Sequence, residues 1–458
     1  MRQFPKIQFE FALMSVVVAS TLMQPAFAAP SGAIALPLRA ERRLSSADHL
    51  SRLLKIKPSW NLYLERAEYY YAQGRQSAAL GDCEKSLAVL PTPPACYLAV
   101  FSALGAGKSG TAKAVRYSQV LTKTAPLVTQ SYELACFTAF LAGDYDKALT
   151  NLVEFQRVAL FAARDIYRLP DPGFVSNLTD AKLNAMLRTT GGGKGEAVRA
   201  RIASALSAFF RHKYAPCAKS CAALLDGTSK LEGRQKDFVS ALQICSYSFM
   251  RDYKQAFEQS RKLTTSAGAF REAMLLFDAI GFAAAKREEV LAVVDKLIDK
   301  KALAAGRHSA GMTSAIELRA EIVLELSQPQ EVARTVELLK RSCSIARGGV
   351  SARSLLLLAR LQALCGNERQ AIVTLNDYIK GNPQDGEAHF LRAQLNSTNR
   401  HTAEAVADLT AALKCGYNTV KALRARSVCY RALGKLAEMR QDEQSLSLIE
   451  RFIQQIVL

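Results

Sequence analysis

Apolar positions along this chain recur at spacings of three and four, in blocks of helix length separated by short polar turns. From residue 352 to residue 450 the blocks come in pairs, and the whole pattern repeats with a period of 34. The first copy reads ARSLLLLARLQALCGNERQAIVTLNDYIKGNP. One helix carries Leu355, Leu358 and the small Ala359, Gly366 marks a turn, and a second helix runs from Ala371 through Leu375 and Tyr378 to a stop at Pro383. The second copy places Ala393, Ala405, Ala412 and Tyr417 at matching positions, and the third Ser427, Gly434, Met439 and Leu446. A fixed period of this size predicts helical hairpins that cannot bury their own apolar faces and so stack into a solenoid. The β-branched residues are scattered at helical spacing, without alternation of period two, so the expected fold is all-α.

Upstream copies are looser. Trp60 to Pro91 forms the first, with Tyr63, Ala67, Tyr70, Gly74, Ala79, Leu87 and Pro91 in register. A weaker copy spans Ala95 to Pro126 around Gly107. A clearer one follows, with Tyr132, Cys136, Ala139, Gly143, Tyr145, Ala148 and Phe155. Pro170, Pro172 and the run Gly191, Gly192, Gly193 break the pattern, predicting an irregular linker over 163–197. Degenerate hairpins are expected over 198–348, including one turn marked by Pro329. The chain thus divides into N-terminal repeats (58–162), linker, degenerate repeats and C-terminal repeats (349–458), about eight to ten hairpins in all.

These copies resemble the tetratricopeptide repeat family: large apolar residues and glycine in the first helix and its turn, small residues where the helices cross, and a closing proline. The first C-terminal copy carries Leu355, Leu358, Ala359, Gly366, Ala371, Leu375 and Pro383 on the signature, with Gln362 where the family has tyrosine. The resemblance implies a right-handed superhelical solenoid whose first helices line a concave groove for a peptide or partner protein. By repeat position it implies a groove formed by Leu64, Glu68, Tyr71, Glu133, Phe137 and Phe140 in the N-terminal block. In the C-terminal block it implies Arg353, Arg360, Gln394, Lys421, Arg424 and Arg431. One end of such a groove is aromatic and the other basic, and arginine suits a carboxylate held through two parallel hydrogen bonds. The set does not match the members that bind chaperone tails.

At the start, Arg2 and Lys6 precede an apolar run from Phe11 to Met23 and a small-x-small pattern at Ala26, Phe27 and Ala28. This reads as a signal peptide over 1–28 followed by a polar tether or cap over 29–57. The run is short for a membrane span. The expected location is the periplasm or the outside, with no integral span in the mature form.

Charge sharpens the choice of partner. Lys and Arg number 60 against 41 Asp and Glu, a formal net charge of +19, which favours an acidic protein, a membrane surface or an anionic polymer. Export and the lack of arginines interleaved with stacking aromatics argue against nucleic acid. The ten cysteines admit two readings: packed thiols, or staples between hairpins, with Cys83–Cys96 and Cys245 with Cys217 or Cys221 as the candidate pairs. Enzyme motifs are incomplete. GAGKSG at Gly105 to Gly110 has Ser102 where a phosphate loop needs its first glycine. GGGKG at Gly191 lacks the hydroxyl residue after its lysine. His49, His212, His308, His389 and His401 lie far apart, and Asp144 and Asp146 sit at a helix start. The expectation is therefore a non-enzymatic scaffold of the cell envelope that uses no metal or cofactor and binds a protein segment. The alternatives are a basic adaptor for an anionic polymer or membrane, and a helical-repeat enzyme acting on polysaccharide, for which no carboxylate pair can be named.

Overall fold

Alanine at a helix crossing lets two backbones approach closely, and the predicted crossing alanines are sealed. Ala67, Ala79, Ala139, Ala148, Ala371 and Ala405 are 0 % exposed and Ala359 and Ala393 1 %. The computed structural model describes residues 46–105, 110–126, 128–161, 196–227, 230–261, 310–326, 328–345 and 351–457, with a few positions between 291 and 306. All lie in one compact unit, Pro37–Leu458. Among the described residues, a single helix, α1 (Ala47–Ile56), precedes nine hairpins. These are α2 (Trp60–Ala72) with α3 (Gln76–Val89), α4 (Pro93–Gly105) with α5 (Thr111–Thr124), and α6 (Thr129–Leu141) with α7 (Tyr145–Phe161). Next come α8 (Glu196–Phe210) with α9 (Tyr214–Leu225), α10 (Gly233–Phe249) with α11 (Tyr253–Arg261), and α12 (Ala310–Leu326) with α13 (Pro329–Ile345). The last three are α14 (Ala352–Leu364) with α15 (Glu368–Gly381), α16 (Gly386–Thr398) with α17 (Thr402–Lys414), and α18 (Thr419–Ala432) with α19 (Leu436–Val457). Among the described residues there is no strand. The helix α1 buries Leu50 and Leu54 and packs on α2. The signal segment and most of the expected linker lie outside the described residues.

The first helix of a hairpin ends when one residue turns left-handed. Gly74, Gly143, Gly366 and Gly434 do so at φ between 71° and 77°, where glycine meets no Cβ clash. His212, Arg251 and Arg400 take the equivalent place at φ 59°, 62° and 63°. Two degenerate repeats and one C-terminal repeat therefore keep the turn without its signature glycine, each at a cost of about 1–2 kcal/mol.

A half-buried guanidinium ties hairpins together, and between Arg392 and Arg426 it recurs with the sequence period. Arg426 donates from Nε and Nη2 to the two oxygens of Asp442, at 2.9 and 2.7 Å, and from Nη1 to Thr410 Oγ1 at 3.1 Å. Arg392 repeats this one period earlier, with Asp408 at 2.9 and 2.5 Å and Asn376 Oδ1 at 2.8 Å. Arg66 does so in the first hairpin, with Asp82 at 2.6 and 2.7 Å and Ser51 of α1 at 2.8 Å. Each fork joins the first helix of a hairpin to its second, and the third N–H reaches the element before it. Arg319, 0 % exposed, is the variant in α12: it bonds Thr335 and Glu331 of α13 and Asp295 Oδ1 at 2.8 Å.

Across the expected linker the core does not stop. One apolar cluster runs from Tyr132 to Ala256. It forms because α10 packs on α7 as well as on α9. Phe140 stacks on Phe238 with ring centroids 6.1 Å apart, and Phe155 meets Phe209, Phe210 and Phe249. The N-terminal and degenerate blocks therefore share one interior.

The fork predicts an asymmetric mutational response. Asp408→Ala leaves Arg392 and the Asn396 amide without their buried acceptor and is expected to cost about 3–5 kcal/mol. Replacing Arg392 and Asp408 together by leucine is expected to cost less. Denaturant midpoints followed by circular dichroism compare the two.

Candidate functional site

The residues expected to line a groove divide sharply by burial. Leu64 and Phe137 are 1 % exposed, Phe140 0 %, Glu68 5 % and Glu133 8 %. All five are interior, and only Tyr71 of the N-terminal set is half-buried, its phenol pushed up to about 12 by burial. The expectation of an open aromatic groove is therefore corrected: Phe137 and Phe140 belong to the shared core, where Phe140 packs against Phe238 and Tyr145. The whole of α6 from Ser131 to Leu141 is buried, so no face of it is left for a partner.

The C-terminal set is accessible. Arg353 and Arg431 are exposed, and Arg360, Gln394, Lys421 and Arg424 are half-buried. On α18, Lys421, Arg424, Val428 and Arg431 fall at spacings of three and four, on one stripe. Val428 is 42 % exposed, and Leu433 and Leu436 at the adjoining turn are also exposed.

The arginines are not bare charges. Arg353 bonds Glu321 of α12, with Nε at 3.0 Å from Oε1. Arg360 pairs with Glu387 of α16. Arg424 lies 3.4 Å from Glu450, and Arg431 3.0 Å from Glu443, both on α19. Burial alone pulls the Arg353 guanidinium down, but the charge of and hydrogen bond to Glu321, with Glu317 and Glu154 behind it, leave it raised. The arrangement is a set of surface arginines, each paired with a carboxylate of its own chain. Such pairs contribute little to stability, so an incoming carboxylate exchanges for the internal one at small cost.

Sequence reasoning missed both these glutamates and the Arg–Asp forks. The forks were readable: Arg392 and Arg426 are one period apart, and Arg66, Arg392 and Arg426 each precede an aspartate by 16. The glutamates at Arg353 and Arg360 come from neighbouring hairpins, and no spacing rule within one helix finds them.

Elsewhere the residues serve structure. Among the described residues no group of three His, Cys, Asp or Glu is arranged to hold a metal ion. His389 is buried, its Nε2 3.1 Å from the Pro383 carbonyl oxygen and its Nδ1 3.5 Å from Asp408. His212 Nδ1 lies 2.7 Å from the Tyr214 hydroxyl at a turn, and His308 lies outside the described residues. Between Gly105 and Gly110, residues 106–109 lie outside them as well. All ten cysteines are free. Cys83 and Cys96 are both buried, and Cys96 Sγ sits 3.8 Å from Thr124 Oγ1. Cys217 and Cys221 face each other at 4.0 Å on α9. These are packed thiols, the first of the two readings.

Paired helices, left-handed turns after the first helix in most of the described hairpins, small residues at the crossings and a 34-residue recurrence of the fork from Arg392 to Arg426 together define the repeat. Its fold is a helical-hairpin solenoid that resembles the tetratricopeptide repeat. No protein-family model matches the chain, and no curated protein does. Solved structures similar to these repeats include yeast Tom70, at 10 % identity and TM-score 0.37, covering 85 % of each chain. The APC/C hetero-tetramer Cut9-Hcn1 gives 12 % and 0.32, covering 88 % of this chain and 90 % of the other. The P58(IPK) TPR domain gives 13 % and 0.23, covering 82 % and 98 %. At these values the likeness carries no functional argument. Among the described residues, no helix is long and apolar enough to cross a membrane.

The packed thiols give a pH dependence. Burial pushes the Cys96 thiol from 9.0 up to about 12 and raises Cys83 and Cys136 as well. A folded value above the unfolded one means the neutral thiol stabilises fully below about pH 9, and that contribution is lost as pH rises towards about 12. Unfolding midpoints are expected to fall between about pH 8 and about pH 10.5, and to fall less in Cys96→Val. In the native state a thiol reagent is expected to reach exposed Cys365 first, and Cys83, Cys96 and Cys136 only after unfolding.

Proposed function

We propose that this protein is a non-enzymatic scaffold that binds an acidic, partly apolar protein segment along the first helices of its C-terminal hairpins. The observation that carries this reading is the α18 stripe, where exposed Val428 stands among Lys421, Arg424 and Arg431. Arg424 and Arg431 are already set to hold carboxylates, by Glu450 and Glu443. A carboxylate in the partner takes the place of the glutamate, and an apolar side chain beside it covers Val428. Binding of this kind couples charge, which sets encounter and register, to apolar burial, which sets residence.

The signal-like start supports the further reading that the scaffold works outside the cytoplasm, in an assembly of the cell envelope. A second reading is favoured by the net charge of +19: a basic adaptor for an anionic polymer or membrane surface. Contacts with a polyanion depend on long-range charge and collapse as the Debye length shortens to about 3 Å near 1 M salt.

Selection from a random peptide display library on the full chain tests the first reading. Enriched peptides are expected to pair Asp or Glu with a large apolar residue. Arg424→Glu with Arg431→Glu is expected to weaken them by about tenfold or more, about 1.4 kcal/mol, and Val428→Asp likewise. Failure to enrich acidic peptides, together with salt-sensitive retention on heparin or polyphosphate, overturns it in favour of the adaptor.

A further inference from the structure

The two ends of the repeat array touch. The loop from α17 to α18 meets the first two hairpins: Thr419 Oγ1 donates to the Pro91 carbonyl at 2.7 Å, and the Asn418 N–H to the Lys123 carbonyl at 2.8 Å. Thr419 is 0 % exposed and Asn418 8 %. The loop is shaped for this place. Gly416 sits at φ +71°, where a Cβ would stand 3.1 Å from Pro91 Cβ, and Asn418 is left-handed at φ 41°. A second contact lies further on. Phe452 of α19 meets Trp60, the first residue of α2, edge to face with centroids 6.0 Å apart, and both rings are buried. Beside them Arg451 lies 3.4 Å from Glu65.

The composition of α4 explains why the ends stay together. It contains no charged residue, and every position from Pro93 to Ala103 is buried. A helix flanked only by its neighbours in a stack keeps a solvent-facing stripe, and one apolar all round must be covered all round. Besides α3 and α5, both α2 and α19 pack on α4. The covering helix is amphipathic, burying Leu446, Ile449, Phe452 and Ile453.

We infer that the array is clasped end to end within one chain, the α17–α18 loop and the end of α19 closing on α2, α4 and the loop ahead of α4. A stack of repeats ordinarily leaves an adhesive face at each end and needs separate polar caps. Here the C-terminal helix covers an early apolar helix, so the surface that would join one copy to the next is used internally. The C-terminal hairpins that carry the arginine stripe are thereby fixed to the N-terminal ones.

Trp60 is the only tryptophan of the chain, so its fluorescence reports on the clasp alone. In the full-length protein its emission is expected to be blue-shifted and resistant to acrylamide. Phe452→Ala and, separately, Gly416→Ala are expected to shift it to the red and raise quenching several-fold. Phe452→Ala risks unravelling α19 itself, whereas Gly416→Ala lies in the other half of the clasp, and unchanged helix content there keeps the test valid. An amine cross-linker is expected to join Lys123 to Lys421 in the wild type and to lose that link in Gly416→Ala. With a mixture of light and heavy isotope-labelled protein, the link is expected within one label. Free quenching of wild-type Trp60, indifference of Trp60 to Gly416→Ala in a folded protein, or a link joining light to heavy chains overturns the inference.

Discussion

A helical hairpin of this length has more apolar surface than it can bury between its own two helices. Whatever each hairpin leaves uncovered must be covered by the next, and this need organises the chain. It explains why Ala67 with Ala79, or Ala393 with Ala405, are small and sealed: close approach within the hairpin frees the larger residues to pack outward on its neighbours. It explains the Arg66, Arg392 and Arg426 forks as well. A half-buried guanidinium is costly where its donors are unmet, and here three N–H groups of each are met, one of them by a side chain on the element before it. Satisfying the charge therefore fixes the register between hairpins that apolar contact alone leaves loose.

The same need shapes the ends. Trp60, Phe452, Thr419 and Gly416 answer at the termini what the crossing alanines answer inside: no apolar face is left open. The seven-phenylalanine-rich stretch of core from Phe137 to Phe249 answers it in the middle, where the hairpin signature fades and bulky rings take over from small-residue crossings. Degenerate sequence and intact packing are compatible because the stack asks for buried area and a left-handed turn rather than for particular letters. Arg251 and His212 supply that turn without glycine.

How much of this was legible follows from what is local. The period, the turns at Gly74, Gly143, Gly366 and Gly434, and the α-helical class rest on spacings within about 34 residues, and these were read correctly from the letters. The core role of His389 rests on the same local register. The position of a side chain relative to distant hairpins is a different kind of fact. Phe137 and Phe140 occupy inner-face positions by register, yet α6 is enclosed, so repeat position alone misplaced them. Arg353 is exposed and Arg360 half-buried, while their partners Glu321 and Glu387 were invisible because each comes from another hairpin. The clasp had one sequence trace, the wholly uncharged α4, and nothing in the spacing named α19 as its cover.

The distribution of acid decides what kind of surface remains. Asp82, Asp408 and Asp442 are buried against arginine, and Glu321, Glu387, Glu443 and Glu450 are engaged by surface arginines. Carboxylates are thus drawn into pairs while lysines such as Lys55, Lys123, Lys213 and Lys414 stay exposed. Among the described residues these exposed lysines, part of a chain with a formal net charge of +19, attract anionic partners without selecting among them. On the proposed reading, selection falls to the paired arginines, because displacing a bonded glutamate demands a carboxylate in a defined place. In the proposed function, a long-range basic field and a short-range set of occupied arginines are complementary parts of recognition. The first raises the rate of encounter with any acidic chain, and the second rewards one whose acidic and apolar residues match the α18 stripe.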